Sequence, residues 1–144
     1  MKLLNRIEQI ILEILKLKRI CYPNFNFKIN YLTIFSESKD DFKNLEKELR
    51  KIGKEEIANN GFKYLLKKPI NYKKETISLI RVRKPDIHRK ELGCADLIYK
   101  SLDYPQLRKI ALDKGYDLIV RKDYEMIELS DFNINVYAYL VKDL

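Results

Sequence analysis

The feature that most constrains the fold is an order of segments that occurs twice along the chain. The first copy is Y-L-T-I-F-S, rich in β-branched and aromatic residues, followed by an amphipathic stretch that ends in L-R-K-I-G. The second copy is D-L-I-Y-K-S, followed by a stretch that ends in A-L-D-K-G. β-branched and aromatic residues favour strands, and a glycine after an apolar stripe commonly ends a helix. The sequence therefore predicts an α+β fold built from a duplicated unit of a strand, a helix and further strands.

The pattern predicts a single domain over residues 1–144. An apolar stripe from Leu3 to Leu17, spaced alternately by four and three residues, predicts an N-terminal helix within residues 1–22. The first module is predicted at 27–84 and the second at 94–141. Predicted strands are 27–35, 62–66, 75–83, 95–101, 117–121, 124–129 and 136–141, predicted module helices are 42–52 and 104–112, and 69–74 is a predicted loop. Because one side of the N-terminal helix must be covered, it packs on this domain or on a second copy, and we expect a homodimer.

The composition excludes several classes of protein. With 46% hydrophobic and 35% charged residues, and only 4 Gly and 4 Pro, the chain is neither disordered nor of low complexity. No apolar run approaches the roughly 20 residues that cross a bilayer, so we expect a cytoplasmic protein with no membrane partner. Cys21 and Cys94 stand alone, without a C-x-x-C pair, and are predicted to be reduced and structural.

The charge leaves a nucleic-acid-binding function open. The formal net charge is +8, and basic surfaces bind phosphates by releasing counterions. Acidic residues are interleaved with the basic ones, however, so a solvated surface is the favoured interpretation. The basic segment from Lys84 to Lys90, which contains Pro85, is predicted to be a solvated crossover between the modules. Just before it, the alternation of a strand places Arg81 and Arg83 on the same face.

Signatures of catalysis are few. His88 is the only histidine and lies in the charged crossover, so a solvated loop residue is favoured over a general base. The sequence has no G-x-S-x-G, no glycine-rich phosphate loop and no H-E-x-x-H. Cys94 is favoured as a small buried thiol rather than a nucleophile served by His88.

Two short segments resemble the vicinal oxygen chelate superfamily, which includes glyoxalase I, extradiol dioxygenases and antibiotic-resistance proteins. Y-E-M-I-E-L-S-D, from Tyr124 to Asp131, is similar to the late strand of that superfamily, which ends in an I-E-L segment. G-C-A-D-L-I, from Gly93 to Ile98, is similar to the G-x-x-H-I-x segment that opens the second module in the YecM-like branch. The leading helix also fits that branch. The resemblance implies two βαβββ-type modules that form a curved mixed sheet, with an extra N-terminal helix.

The resemblance also implies where metal ligands would stand. The superfamily places a histidine or similar residue on the first strand of each module and a carboxylate late in each. Carried over, these positions fall at Asn30 or Tyr31, near Arg81, at Asp96 and at Glu128. Asparagine is a poor ligand for transition metals and arginine stays protonated, so we expect a degenerate metal site. A retained site would hold Mg or Mn through the oxygens of Asp96 and Glu128, but no bound divalent metal is expected.

In place of a metal, Arg81 is predicted to pair with Asp96 or Glu128 inside the cup. The favoured function is binding of a small molecule, for instance an anionic one, with Tyr64 and Tyr99 also lining the cup. One alternative is a metal-dependent lyase, isomerase or dioxygenase of the same superfamily. Another is a basic nucleic-acid-binding module with no enzymatic role. The sequence names no substrate, and whether the protein is an enzyme stays open.

Overall fold

The structure of the protein, a computed structural model, describes residues 2–143. The first module follows one N-terminal helix, and the second begins after a crossover of nine residues, 84–92. A short 3-10 helix, Ser101–Asp103, precedes the helix of the second module. The elements are α1 (Leu3–Cys21), β1 (Lys28–Phe35), α2 (Lys39–Ile52), β2 (Gly53–Ala58), β3 (Gly61–Tyr72), β4 (Glu75–Arg83), β5 (Gly93–Ile98), α3 (Tyr104–Lys114), β6 (Asp117–Val120), β7 (Tyr124–Asp131) and β8 (Ile134–Asp143).

The strands form one mixed sheet in the order β2-β3-β4-β1-β5-β8-β7-β6. In each module the first strand lies parallel to the last, as β1 does to β4 and β5 to β8. The two first strands, β1 and β5, lie antiparallel at the centre and join the modules. The sheet therefore has the same strand order in both directions from its centre. This arrangement confirms the predicted α+β fold of two βαβββ modules with an extra N-terminal helix.

Helices α1, α2 and α3 all cover the same face of the sheet. The hydrophobic core lies between this face and the helices. Helix α1 buries its apolar stripe fully from Ile7 onwards, at Ile7, Ile10, Ile11, Ile14 and Leu17, whereas Leu3 is partly buried. These residues pack beside Leu32 and Ala138 and their neighbours in the central strands. The helix is therefore covered by its own chain rather than by a second copy. The homodimer stays a prediction.

Two local predictions in the first module are wrong. Strand β2 was not predicted. Helix α2 ends at Ile52, and the chain enters β2 at the next residue, Gly53, whose backbone is extended with a φ of −157°. Residues 69–74 were predicted as a loop, but β3 continues to Tyr72. Pro69 lies where the register between β3 and β4 shifts, so its missing N–H removes no ladder hydrogen bond. Only Lys73 and Lys74 form the turn, with φ angles of 50° and 66°.

The crossover confirms the prediction for His88, whose side chain is exposed. Its backbone N–H donates a hydrogen bond to Asp86 Oδ1 at 2.9 Å, which is typical of a short polar turn. Both cysteines are free, as predicted. Among residues 2–143, no helix is both long enough and apolar enough to cross a membrane.

Candidate functional site

The face of the sheet opposite the helices carries two rows of polar and aromatic side chains across its central strands. Strand registers define each row, because residues opposite each other on neighbouring strands point to the same face. The first row is Arg81, Thr33, Cys94 and Tyr137, on β4, β1, β5 and β8. The second row is Tyr31, Asp96, Tyr139 and Glu128, on β1, β5, β8 and β7. Both rows cross from the first module to the second.

A cavity of about 440 Å³ opens over these rows. The residues that line it include Tyr31, Arg81, Arg83, Arg89, Asp96 and Tyr139. Arg81 and Arg83 lie two residues apart on β4 and both line the cavity from the first module. They therefore share one face of the strand, as predicted. Arg89 enters the cavity from the crossover. The cavity is therefore open to solvent, concave and rich in guanidinium groups.

Two of the arginines rest on aromatic rings. The Arg83 guanidinium carbon lies 5.7 Å from the centre of the Phe35 ring, and that of Arg89 lies 5.3 Å from the centre of the Tyr137 ring. A guanidinium over a ring face is favourable and limits the freedom of a long side chain. These contacts position the two cations without neutralising them.

A β-bulge decides which residue of β1 faces the cavity. Ile29 pairs with Leu97 and Tyr31 pairs with Asp96, so Asn30 is an extra residue on β1. Asn30 is exposed, whereas Tyr31 lines the cavity. The alternative that the sequence left open is thereby resolved in favour of Tyr31.

Asp96 is a largely buried carboxyl in the second row. Tyr31 donates a hydrogen bond to Asp96 Oδ2 at 2.9 Å. Burial raises the pKa of Asp96, and this outweighs the hydrogen bond from Tyr31 and the charge of Arg81, which both lower it. Burial and the neighbouring Asp96 also raise the pKa of Tyr31 to about 12. The site thus holds an acid that ionises less readily than an exposed aspartate.

Glu128 lies in the same row but is held by its neighbour. Tyr139 donates a hydrogen bond to Glu128 Oε2 at 2.8 Å, and Glu128 is not among the residues that line the cavity. Strand β8 separates Glu128 from Asp96, so their backbones are about two strand spacings apart, roughly 10 Å. Asp96 and Glu128 therefore do not converge on one point of the cavity.

The residues present do not fit the metal that the resemblance implies. Nowhere in residues 2–143 do three or more His, Cys, Asp or Glu side chains come together as a metal-binding group. Asp96 and Glu128 each accept a hydrogen bond from a tyrosine, and Arg81 and Arg89 bring positive charge to the same surface. A divalent cation would have to displace these partners and overcome that charge.

The predicted ion pair of Arg81 with Asp96 or Glu128 is wrong. Nη2 of Arg81 instead donates a hydrogen bond to the backbone oxygen of Asn59 at 3.3 Å. No ion pair within the described chain includes Arg81. The guanidinium therefore faces the cavity and influences Asp96 through space rather than by direct contact.

The two tyrosines predicted to line the cup lie elsewhere. Tyr64 pairs with Ile80 on β4, so it points to the helix-covered face, where it is fully buried and donates a hydrogen bond to Glu55 at 2.6 Å. Tyr99 follows the end of β5, and its hydroxyl donates to the backbone oxygen of Val141 at 2.7 Å. Both side chains are structural, and the cavity takes its tyrosines from other positions.

Tyr139 and Arg89 are among the cavity residues that the sequence did not predict. Tyr139 had a usable signal, because V-Y-A-Y-L alternates apolar core residues with tyrosines on the other face. Arg89 had none, since it belongs to the crossover and was predicted to be solvated there. Its side chain is instead partly buried and lies over the Tyr137 ring. Burial alone would lower the pKa of Arg89, but the nearby Tyr139 and Glu128 raise it.

Replacing Asp96 by Asn is expected to raise the free energy of unfolding at neutral pH. Because the pKa of Asp96 is raised by burial, the wild-type protein loses stability as the pH rises from the ordinary aspartate range through that raised pKa. Asparagine keeps an acceptor for Tyr31 and carries no charge. Urea unfolding from acidic to neutral pH measures the effect. The advantage of the variant should grow with pH and then level off, and a constant or reversed difference would contradict it.

Comparisons with known proteins support the fold but not a function. No protein-family model matches the chain, and no curated protein matches it either. A solved structure described as Structural Genomics, Protein EC4020, superposes with a TM-score of 0.64 at 11% identity, covering 92% of this chain and 82% of that one. The fosfomycin resistance protein FosX from Mesorhizobium loti gives a TM-score of 0.29 at 11% identity, covering 79% of this chain and 90% of that one. The first likeness shows a shared fold, whereas the second superposition is too poor to show one. The YecM-like branch stays a prediction.

Proposed function

We propose that the protein binds a small anionic molecule in the open cavity. The observation that carries this proposal is the convergence of Arg81, Arg83 and Arg89 on one concave surface of about 440 Å³. The carboxyls that line the same cavity are Asp96, which is largely buried, and Asp143, which is exposed. The local charge of the cavity is therefore positive.

The chemistry of arginine narrows the type of ligand. A guanidinium presents several N–H donors in a planar fork that matches carboxylate and phosphate oxygens. None of the three arginines takes part in an ion pair within the described residues. Their charges are therefore available to a ligand. The hydroxyls of Tyr31 and Tyr139 and the apolar surfaces of Met126 and Val141 complete a cavity suited to an anion with a small organic group.

We also propose that the chain is a vicinal oxygen chelate protein whose metal site is degenerate. The resemblance implied two βαβββ modules, and the two modules that share one mixed sheet support this assignment. The lack of fit between the donors and a metal favours a metal-free ligand site over a metal-dependent lyase, isomerase or dioxygenase. Metal analysis of the purified protein tests this part, since a stoichiometric divalent metal would contradict it.

Anion binding should depend strongly on the cavity arginines. At low ionic strength, calorimetric titrations with benzoate, pyrophosphate and phenyl phosphate should show saturable binding of at least one. Arg81→Gln and Arg89→Gln should each weaken it about 10- to 100-fold, because each removes charge-assisted hydrogen bonds. Lys84→Gln and Lys90→Gln are matched controls, since they remove the same charge from exposed residues of the crossover and should change affinity little.

Two results would overturn this proposal. One is the absence of saturable binding for every anion tested. The other is an equal loss of affinity in the arginine and lysine variants, because binding would then follow the general charge of the protein. In that case, steeply salt-dependent binding to single-stranded RNA or DNA would favour the nucleic-acid alternative.

A further inference from the structure

Asp96 is the feature of the cavity that a simple anion site does not explain. It lies in the second row between Tyr31 and Tyr139, within the electrostatic reach of Arg81. Its Oδ2 accepts a hydrogen bond from the Tyr31 hydroxyl, and no other hydrogen bond to this carboxyl forms within the described chain. A carboxylate at this position repels a fully ionised ligand, although the arginines around it attract one.

The conflict disappears if a proton lies between the carboxyl and the ligand. A phosphate monoester has a second pKa of about 6, so near neutral pH it can bring a proton to the site. A sulfate ester has no such proton, and its binding requires that Asp96 be protonated from solvent. One shared hydrogen then converts a repulsion into a charge-assisted hydrogen bond.

On this basis, and resting on the proposed anion site, we propose that Asp96 selects small phosphate monoesters over sulfate esters by sharing a proton with the bound phosphate. The arginines supply the general attraction for the oxyanion. Asp96 supplies the discrimination, because only a ligand that carries a proton satisfies it without uptake from solvent. Burial of Asp96 raises its pKa, which brings the proton affinities of carboxyl and phosphate closer together.

Asp96 is the lining carboxyl that lies between the two tyrosines of the second row, whereas the other lining carboxyl, Asp143, is exposed at the end of β8. The titratable and charged groups that face Asp96 or its immediate partners are Tyr31, Arg81, Arg89, Cys94, Glu128 and Tyr139. Burial raises the pKa of Cys94 to about 11 and that of Tyr31 to about 12, and it also raises the pKa of Tyr139. The arginines stay charged. The Glu128 carboxylate accepts a hydrogen bond from Tyr139 and does not line the cavity.

Phenyl phosphate and phenyl sulfate test the proposal, because they share the organic group and differ in whether the oxyanion holds a proton. Calorimetry of the intact protein at neutral pH should show tighter binding of phenyl phosphate, by about tenfold or more. Asp96→Asn should reduce this ratio strongly, chiefly by tightening the binding of phenyl sulfate, since the amide N–H donates a hydrogen bond without taking up a proton from solvent. Glu128→Gln, the matched control, should leave the ratio unchanged.

A second measurement uses pH. In the wild-type protein, phenyl sulfate should bind more tightly as the pH falls and Asp96 becomes protonated, and Asp96→Asn should abolish most of this change. An unchanged ratio in Asp96→Asn would overturn the inference, because the preference would then come from ligand charge alone. Equal affinity of the wild type for the two esters would overturn it while leaving the anion site intact. Failure of both esters and of every other anion would overturn both proposals.

Discussion

Replacing Glu75 by Met is expected to lower the free energy of unfolding by about 3–5 kcal/mol, the usual cost of isolating one partner of a buried ion pair. Glu75 is 3% exposed, and its Oε1 accepts a hydrogen bond from the backbone N–H of Ile29 at 2.8 Å. Its Oε2 lies 3.7 Å from Nζ of Lys18 on α1. Burial lowers the pKa of Lys18, and the charge of Glu75 opposes that shift. Methionine fills a similar volume but replaces neither interaction.

A double variant separates the ion pair from the hydrogen bond. Lys18→Met with Glu75→Met should be less damaging than the sum of the single changes, because no buried charge is left alone. Equilibrium urea unfolding measures all of these variants. Glu56→Met is the matched control: its pair with Lys63 is 3.5 Å long and exposed, so we expect a loss within about 1 kcal/mol. Equal stability of the Glu75 and Glu56 variants would show that the buried pair contributes nothing.

Replacing Gly93 by Ala is expected to be at least as damaging as a typical overpacking change, about 3 kcal/mol or more. An added Cβ at Gly93 would lie 2.1 Å from the backbone oxygen of Thr33 and 3.2 Å from Cδ1 of Ile10. A backbone oxygen inside a ladder cannot turn away as a side chain can. The change therefore forces β5 away from β1, where the two modules join, and disturbs the packing of α1 on the sheet.

Gly115→Ala is the matched control for Gly93→Ala. No atom lies within 4 Å of a Cβ added at Gly115, but its φ of 77° is left-handed. The expected cost is therefore conformational, about 1–2 kcal/mol. Urea unfolding of both variants compares a steric penalty with a backbone penalty at two glycines. Our assignment of close packing at Gly93 fails if its variant is as stable as the Gly115 variant.

Periodicity predicted most of the fold, because α1 and the central strands bury one face each. The apolar stripe of α1 and the alternation in β4 both have a clear partner in the core. The edge strand β2, G-K-E-E-I-A, lacked such a pattern, since an edge strand buries little and carries charges. Its start was also hidden: α2 ends before Gly53, as predicted, but Gly53 is already the first residue of the strand, with no turn between the two elements.

The lining of the cavity was predicted in part. Arg81 and Asp96 were placed on the lining by strand alternation and by the resemblance, and both line the cavity. The position of Tyr31 depended on the bulge at Asn30, which arises from long-range pairing and leaves no local mark in the sequence. Arg89 depended on the path of the crossover, which no period describes. Tertiary contacts decided both.

The two rows have a mechanical consequence for a bound ligand. Tyr31 and Arg81 belong to the first module, whereas Asp96 and Tyr139 belong to the second, and only the β1–β5 pairing joins the two halves of the sheet at this point. A ligand bound in the cavity as we propose would be held from both sides and would act as a non-covalent crosslink across that seam. Occupancy of the cavity would then be coupled to the cohesion of the two halves, so each bound molecule would also help to hold the two modules together.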